Sequence, residues 1–115
     1  MKVSVVVCTY TMDRYSDFAE AVRSALDQTY DPIEIVLVSD GNESVAEQMR
    51  DDFDDRANIR VHNNDENRGI SYSRTKGAEL ASGDLVAFLD DDAIATPEWI
   101  ETLVETYEST DAYVV

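Results

Sequence analysis

Unbroken apolar runs alternate along the chain with segments in which apolar residues recur at helical spacing. Runs rich in β-branched residues are typical of strands that are buried on both faces of a parallel sheet. The pattern predicts five such strands, at Val3–Cys8, Ile33–Val38, Ile59–Val61, Leu85–Leu89 and Ala112–Val115.

Amphipathic helices are predicted between the strands, because apolar residues there recur three and four positions apart. Ser44 and Glu47 have the spacing of a capping box for the second helix, while Thr96 and Pro97 suit the start of the fourth. The Ser-Gly pair at 82–83 should end the third helix. The four apolar faces lie within Phe18–Leu26, Val45–Phe53, Ile70–Ala81 and Ile100–Tyr107.

This alternating order predicts an α/β fold, an open and mainly parallel sheet with helices on both faces. A chain of 115 residues fits one domain, 1–115. Because it ends on an apolar strand, we expect the domain to be truncated. In such sheets ligands bind at the carboxyl ends of the strands, so the chemistry is expected there.

Acidic residues outnumber basic ones by 25 to 9, which gives a net charge of −16. Such a surface repels nucleic acid and anionic membranes. A disordered acidic tail and adaptation to high salt would both explain the charge. The regular apolar pattern, with 43% hydrophobic residues, argues against the tail and favours salt adaptation.

Cys8 is the single cysteine, so an intrachain disulfide is excluded and a reducing cytoplasm is the expected location. No apolar run approaches the length of a membrane span, and the N-terminal segment is predicted to be a strand and not a signal peptide. Any membrane association would therefore lie outside these residues.

Polar residues follow the first two predicted strands. Thr9 and Tyr10 come after the first, without the glycines of a dinucleotide-binding turn or a P-loop. Asp40 follows the second, next to Gly41 and Asn42. Its carboxylate could accept hydrogen bonds from a nucleobase or a ribose, or these residues could simply form the turn.

Three consecutive carboxylates, Asp90, Asp91 and Asp92, follow the fourth predicted strand. Their crowding would be relieved by a hard divalent cation such as Mg²⁺ or Mn²⁺, which prefers oxygen ligands. The acidic run at 51–55 lies at a predicted helix end, away from any strand end, and is expected to be solvated surface. Position therefore favours the triplet as the metal site.

Arg68, Arg74 and Lys76 lie around the start of the third helix, where a phosphate could bind. Salt bridges to the abundant acidic residues are the alternative. His62, the sole histidine, and Trp99 are expected to have structural roles.

Taken in order, the segments around these residues resemble family 2 glycosyltransferases of the GT-A fold. The resemblance covers nearly the whole chain. It rests on four motifs at the usual spacing: VSVVVCTYT at Val3–Thr11, QTYDPIEIVLVSDGN at Gln28–Asn42, NRGISYSRTKGAELASGDLVAFLDDDA at Asn67–Ala93 and TPEWIETLV at Thr96–Val104.

The resemblance implies a nucleotide-sugar site. Asp40 would read the base, often uracil, and Cys8, Thr9 and Tyr10 would frame it. Arg74 falls in the helix that commonly lies near the nucleotide and its diphosphate.

The aspartate triplet corresponds to the D-x-D region of the family. Asp92 would be the metal ligand, and Asp91 or Asp90 would hold the ribose or a metal-bound water. Two positions depart from the family pattern, Ser39 where an aspartate is frequent and Thr11 where asparagine is usual. Both departures bear on base preference.

The implied reaction is metal-dependent, inverting transfer of a sugar from a nucleotide-diphospho-sugar to an acceptor hydroxyl, with a UDP-sugar favoured. The acceptor is open, with a lipid-linked or protein glycan as family-level expectations, and the general base is expected outside this chain. A non-catalytic nucleotide-sugar-binding fragment is the main alternative. In that case two copies could pair as a homodimer through the last strand. A sugar-nucleotidyltransferase is less favoured, because the first turn lacks the glycines and the basic residue that would hold a triphosphate.

Overall fold

The parallel sheet predicted from the apolar runs is present in the computed structural model, which describes residues 1–110. Within this described part of the chain the sheet has four strands in the order β3-β2-β1-β4, and every pairing is parallel. The strands are β1 (Val3–Thr9), β2 (Ile33–Ser39), β3 (Ile59–Asn63) and β4 (Leu85–Leu89). The predicted strand at 112–115 lies outside the described residues.

Four α-helices connect or follow the strands, as the periodicity predicts. A 3-10 helix at Met12–Arg14 also precedes the first of them, and the sequence pattern gave no sign of it. The α-helices are α1 (Tyr15–Leu26), α2 (Glu43–Phe53), α3 (Ile70–Leu80) and α4 (Trp99–Thr110).

Helices cover both faces of the sheet, which confirms the predicted fold class. The larger core lies on the face covered by α1, α2 and α4, where Phe18, Met49 and Ile100 are fully buried. On the other face α3 packs over a smaller core that includes Val6 and Val38. No helix among the described residues is long and apolar enough to cross a membrane.

Two predicted helix caps are wrong in detail. The capping box of Ser44 is not formed, because α2 begins at Glu43 and the Asn42 side chain accepts a hydrogen bond from the Val45 N–H at 3.2 Å. In the fourth helix, the Ile100 N–H donates to Gln28 Oε1 at 2.9 Å. Thr96 contributes to this helix start through its backbone carbonyl, which accepts a hydrogen bond from the Trp99 N–H. A residue distant in sequence thus satisfies a helix terminus that local spacing assigned to Thr96.

The order in which successive strands are added to the sheet reverses at β1. The strands β2 and β3 lie on one side of β1, and β4 lies on the other. The carboxyl ends of β1 and β4 therefore flank the point where the strand order reverses, which is where open α/β sheets bind ligands.

Candidate functional site

A pocket of about 280 Å³ opens at this reversal point, beside the carboxyl ends of β1 and β4. Its lining also includes Asp40 from the end of β2 and residues of the first turn of α3. All eight site residues predicted from the sequence line this one pocket, namely Cys8, Thr9, Tyr10, Asp40, Arg74, Asp90, Asp91 and Asp92.

Asp40 is buried, and both of its carboxylate oxygens already accept hydrogen bonds from the loop that leads into α3. Oδ1 accepts from the Arg68 N–H at 2.8 Å and from the Asn64 side chain at 2.9 Å, and Oδ2 accepts from the Gly69 N–H at 2.8 Å. Burial opposes ionisation, but the hydrogen bonds outweigh it and lower the pKa of Asp40. The Asp40 carboxylate therefore both lines the pocket and holds the loop that leads into α3.

Asn64 connects this carboxylate to α3. The residue is 3% exposed, and its side-chain amide donates to Asp40 at 2.9 Å and to the Ser73 hydroxyl at 3.0 Å. Gly41 brings the loop closer still. It has φ +76°, and a Cβ there would lie 2.3 Å from the backbone carbon of Glu66. Glycine is thus required at this turn both for its conformation and for the close approach.

Asp91 is the buried member of the aspartate triplet, at 8% exposure. The Thr9 hydroxyl donates to Asp91 Oδ2 at 2.8 Å, and Arg14 Nη1 lies 3.3 Å from Oδ1. The first hydrogen bond ties the carboxyl end of β1 to the residues that follow β4. Asp91 thereby fixes the geometry at the reversal point of the sheet.

The other two carboxylates have different surroundings. Asp90 is exposed and pairs with Arg74 Nη2 at 2.9 Å, across to α3. Asp92 is also exposed, and its side chain forms no hydrogen bond or ion pair with any described residue. Two of the three carboxylates therefore have arginine partners, and Asp92 has none among the described residues. The two arginines come from separate elements, the 3-10 helix and α3.

Within residues 1–110, no group of three or more His, Cys, Asp or Glu side chains is arranged to hold a metal ion. Mg²⁺ sites that serve phosphate chemistry commonly use one or two carboxylates, with substrate phosphates and water completing the shell. One carboxylate, Asp92, that has no partner within residues 1–110 and lines a pocket of about 280 Å³ fits that kind of site. It does not fit a metal held by protein ligands alone.

Cys8 is a buried thiol at the end of β1. Burial raises its pKa to about 12, and the positive charge of Arg74 only partly offsets that rise. The thiol is therefore neutral at physiological pH and behaves as a small apolar surface in the pocket wall.

The sequence pattern missed three polar residues of this region, Arg14, Ser73 and Asn64. Arg14 and Ser73 line the pocket, and Asn64 lies directly behind Asp40. Arg14 lies in the unpredicted 3-10 helix, and Asn64 follows the predicted third strand without any motif. A scan for polar residues after each strand end would have found Asn64, but no local signal indicates Arg14.

The comparisons with known proteins bear directly on this pocket. A family model described as Glycosyl transferase family 2 matches residues 4–115. The chain belongs to glycosyltransferase family 2. This membership favours the predicted glycosyltransferase over the sugar-nucleotidyltransferase alternative.

Curated relatives agree with the family. A glucosyl-dolichyl phosphate glucuronosyltransferase of Haloferax volcanii is 64% identical over 109 residues, which cover 95% of this chain and 35% of that protein. The glycosyltransferase GlyG of Streptococcus pneumoniae is 34% identical, over 98% of this chain and 37% of that protein. The chain thus spans about a third of the length of these relatives.

Solved structures show the same fold. The TarS protein of S. aureus, residues 1–349, matches with a TM-score of 0.81 at 24% identity, over 96% of this chain and 33% of that structure. The same protein in complex with UDP-GlcNAc also matches with a TM-score of 0.81, at 24% identity, over 96% of this chain and 32% of that structure. At this identity the likeness establishes the GT-A fold and nothing finer.

Proposed function

We propose that this chain forms the donor-binding part of a glycosyltransferase that uses a nucleotide-diphospho-sugar. The observation that carries the proposal is the convergence of all eight predicted side chains on one pocket at the reversal point of the sheet. Family membership supports the reaction class, and the mixture of carboxylates, arginines and apolar side chains in the pocket supports a nucleotide-diphospho-sugar as ligand.

The nucleotide end of the donor would lie beside Asp40, Cys8 and Tyr10. Asp40 accepts hydrogen bonds from the Asn64 side chain and from the N–H groups of Arg68 and Gly69, and a hydrogen bond from Ser73 also helps to lower its pKa. Because its carboxylate lines the pocket, an N–H group of uracil would share or displace one of these donors. The apolar Cys8 thiol and the half-exposed Tyr10 ring provide surfaces against which a flat base can pack.

The diphosphate end would need a cation. Among residues 1–110, four carboxylates and two guanidinium groups line the pocket, which leaves a formal excess of two negative charges before an anionic donor arrives. A divalent ion, Mg²⁺ or Mn²⁺, would offset this repulsion, with Asp92 as its protein ligand. When bound, it would stabilise the charge on the departing diphosphate.

Transfer would proceed by one displacement with inversion. The acceptor hydroxyl oxygen bonds to the anomeric carbon as the bond from that carbon to the phosphate oxygen breaks. The nucleoside diphosphate leaves, and the hydroxyl proton passes to a carboxylate. That carboxylate would come from a part of the protein that corresponds to the unmatched two thirds of the relatives. The chain's own part is to bind and orient the donor.

The H. volcanii relative suggests a finer assignment. Its name specifies a glucuronosyl group and a glucosyl-dolichyl phosphate acceptor. Because the two proteins are 64% identical over this region, we propose the same classes of donor and acceptor for this protein. The donor would carry a uronic acid, and the acceptor would be a sugar linked to a lipid phosphate. A cytoplasmic location with membrane association through other residues is the matching proposal for localisation.

Calorimetric titration of the full-length protein with UDP and UDP-glucuronic acid, in molar KCl with and without Mn²⁺, tests the donor site. We expect binding that depends on Mn²⁺ and is lost in Asp92→Asn. Asp51→Asn is the matched control, because Asp51 is also an exposed carboxylate but lies on α2 outside the pocket, and this variant should bind normally. Normal Mn²⁺-dependent binding by Asp92→Asn would refute the metal role.

Transfer of glucuronic acid to a glucosylated lipid phosphate, followed by mass spectrometry, tests the activity itself. Donor binding without transfer to any glycolipid or glycan acceptor would favour the non-catalytic donor-binding alternative.

A further inference from the structure

Arg14 is a cationic side chain of the pocket that neither the sequence pattern nor the family motif indicated. It lies at the end of the 3-10 helix and lines the pocket. The guanidinium carbon also lies 5.9 Å from the centre of the Tyr10 ring. Arg14 therefore lies between the predicted base-binding surface and the aspartate triplet.

Helix stability does not account for an arginine at this position. Arg14 is the N-cap residue of α1, where Ser, Thr, Asp and Asn are favoured because their oxygens accept helix N–H groups. Its side chain makes no capping hydrogen bond, and a positive charge near a helix N-terminus is unfavourable. The ion pair with Asp91 offsets part of this local cost.

The ion pair with Asp91 occupies only part of the guanidinium. A single nitrogen, Nη1, contacts the carboxylate at 3.3 Å, and half of the Arg14 side chain is exposed. A guanidinium has five N–H donors, so most of them are not used in this ion pair. By comparison, Arg60 pairs through Nε with the buried carboxylate of Glu34, and Arg68 pairs with two acidic residues. Neither of these arginines lines the pocket.

The two arginines of the pocket come from elements that the fold brings together from different sides. Arg14 precedes α1 and pairs with Asp91, while Arg74 lies on α3 and pairs with Asp90. Both are about half exposed. Planar guanidinium groups match the oxygens of phosphate, so the pair could contact a diphosphate from two sides.

We propose that Arg14 binds the diphosphate of the donor directly, as a second cationic contact besides Arg74. The inference rests on the proposed donor-binding function. Arg14 contacts the phosphate oxygens through the N–H groups that Asp91 does not use. Its ion pair with Asp91 orients the guanidinium before the donor arrives.

Affinities of the full-length protein for uridine, UMP and UDP, measured in the presence of Mn²⁺, test this role. Calorimetry suits UDP, and ligand-observed NMR extends the measurement to weak uridine binding. In Arg14→Gln we expect UDP affinity to fall by about tenfold or more, as for the loss of a charge-assisted hydrogen bond. Uridine affinity should stay within about twofold of wild type on the same physical basis. Arg14→Lys keeps the charge but loses the planar fork, so its UDP affinity should be intermediate.

Arg23→Gln is the matched control, because Arg23 is an exposed arginine in the last turn of the same helix. It should bind all three ligands like wild type. Equal losses for uridine and UDP in Arg14→Gln would mean that Arg14 only positions Asp91, and would overturn the proposal. Unchanged UDP affinity would overturn it too, while leaving the donor site intact. Failure of the wild-type protein to bind UDP would instead overturn the proposed function itself.

Discussion

The side-chain amide of Asn64 donates a hydrogen bond to the carboxylate of Asp40 at 2.9 Å, across 24 residues of sequence. The same carboxylate accepts the backbone N–H groups of Arg68 and Gly69. Asp40 thus closes the loop between β3 and α3 onto the end of β2. The residue expected to read the base also determines the shape of the wall next to it.

Asp40→Asn should destabilise the fold although the two side chains have the same size. The amide NH₂ of asparagine would face at least one N–H donor of the loop, leaving buried donors unsatisfied. We expect a loss of about 1–3 kcal/mol in the free energy of unfolding, measured by denaturant titration without ligand. Asp55→Asn, at an exposed turn, should be neutral. Equal stability of the two variants would contradict the loop-organising role.

The surroundings of Glu34 predict how the free energy of unfolding changes as the pH falls. It is buried in β2 and accepts hydrogen bonds from the Ser4 hydroxyl at 2.6 Å and from the Ser82 N–H at 2.9 Å. Burial opposes ionisation, but these hydrogen bonds outweigh it, so the pKa of Glu34 lies below its usual value of 4.5. The stabilisation is therefore complete above pH 4.5 and is lost as the pH falls through the lower pKa of the folded protein.

Glu34→Gln should accordingly reduce the free energy of unfolding at pH 7, and its difference from wild type should narrow as the pH falls below 4.5. Denaturant titrations across this range measure the difference. Glu47→Gln, on the exposed face of α2, should follow the wild type throughout. A difference from wild type that widens in acid would contradict the assigned sign.

Gly77 allows α3 to approach the sheet. A Cβ at this position would lie 2.4 Å from Cγ1 of Val6, a β-branched side chain with little freedom to move. Gly77→Ala should therefore cost about 1–3 kcal/mol by overpacking, despite the better helix propensity of alanine. Thermal unfolding of Gly77→Ala, with Thr75→Ala on the exposed face of α3 as control, measures the effect. Adding Val6→Ala should recover part of the loss, and no recovery would place the strain elsewhere.

Cys8 should react slowly with iodoacetamide at neutral pH. Its pKa of about 12 leaves almost no thiolate, and the side chain is 7% exposed. We expect modification at least about a thousandfold slower than in the unfolded chain, because the thiolate fraction falls tenfold for each unit of pKa. Since Cys8 is the single cysteine, mass spectrometry of the intact protein gives the rate without ambiguity. Rapid labelling of the folded protein would contradict the burial of the thiol.

The net charge of −16 predicts a fold that salt stabilises. Added salt shortens the range of self-repulsion from about 10 Å at 0.1 M to about 3 Å at 1 M. The midpoint of thermal unfolding should therefore rise between dilute buffer and molar KCl, and an uncharged osmolyte at equal osmolality should raise it less. A midpoint indifferent to KCl would argue against salt adaptation.

Most of the framework could be predicted from the sequence because its signals are local. The apolar runs predicted the four described strands, and apolar residues at helical spacing predicted the helices. The acidic residues that directly follow a predicted strand placed the triplet at 90–92 at a strand end. Motif order gave the family and all eight predicted residues that line the pocket. These features depend on residues that are near one another in the chain.

Only the tertiary structure decided how those residues divide their tasks. Arg14 pairs with Asp91 and Arg74 pairs with Asp90, and Asp92 has no partner among the described residues. Gln28, and not a residue near the helix in sequence, accepts the hydrogen bond of the Ile100 N–H in the fourth helix. Each of these contacts joins residues 16 to 77 positions apart. Spacing along the chain carries no information about such pairs. They form because parallel crossovers bring separate strand ends to the same edge of the sheet.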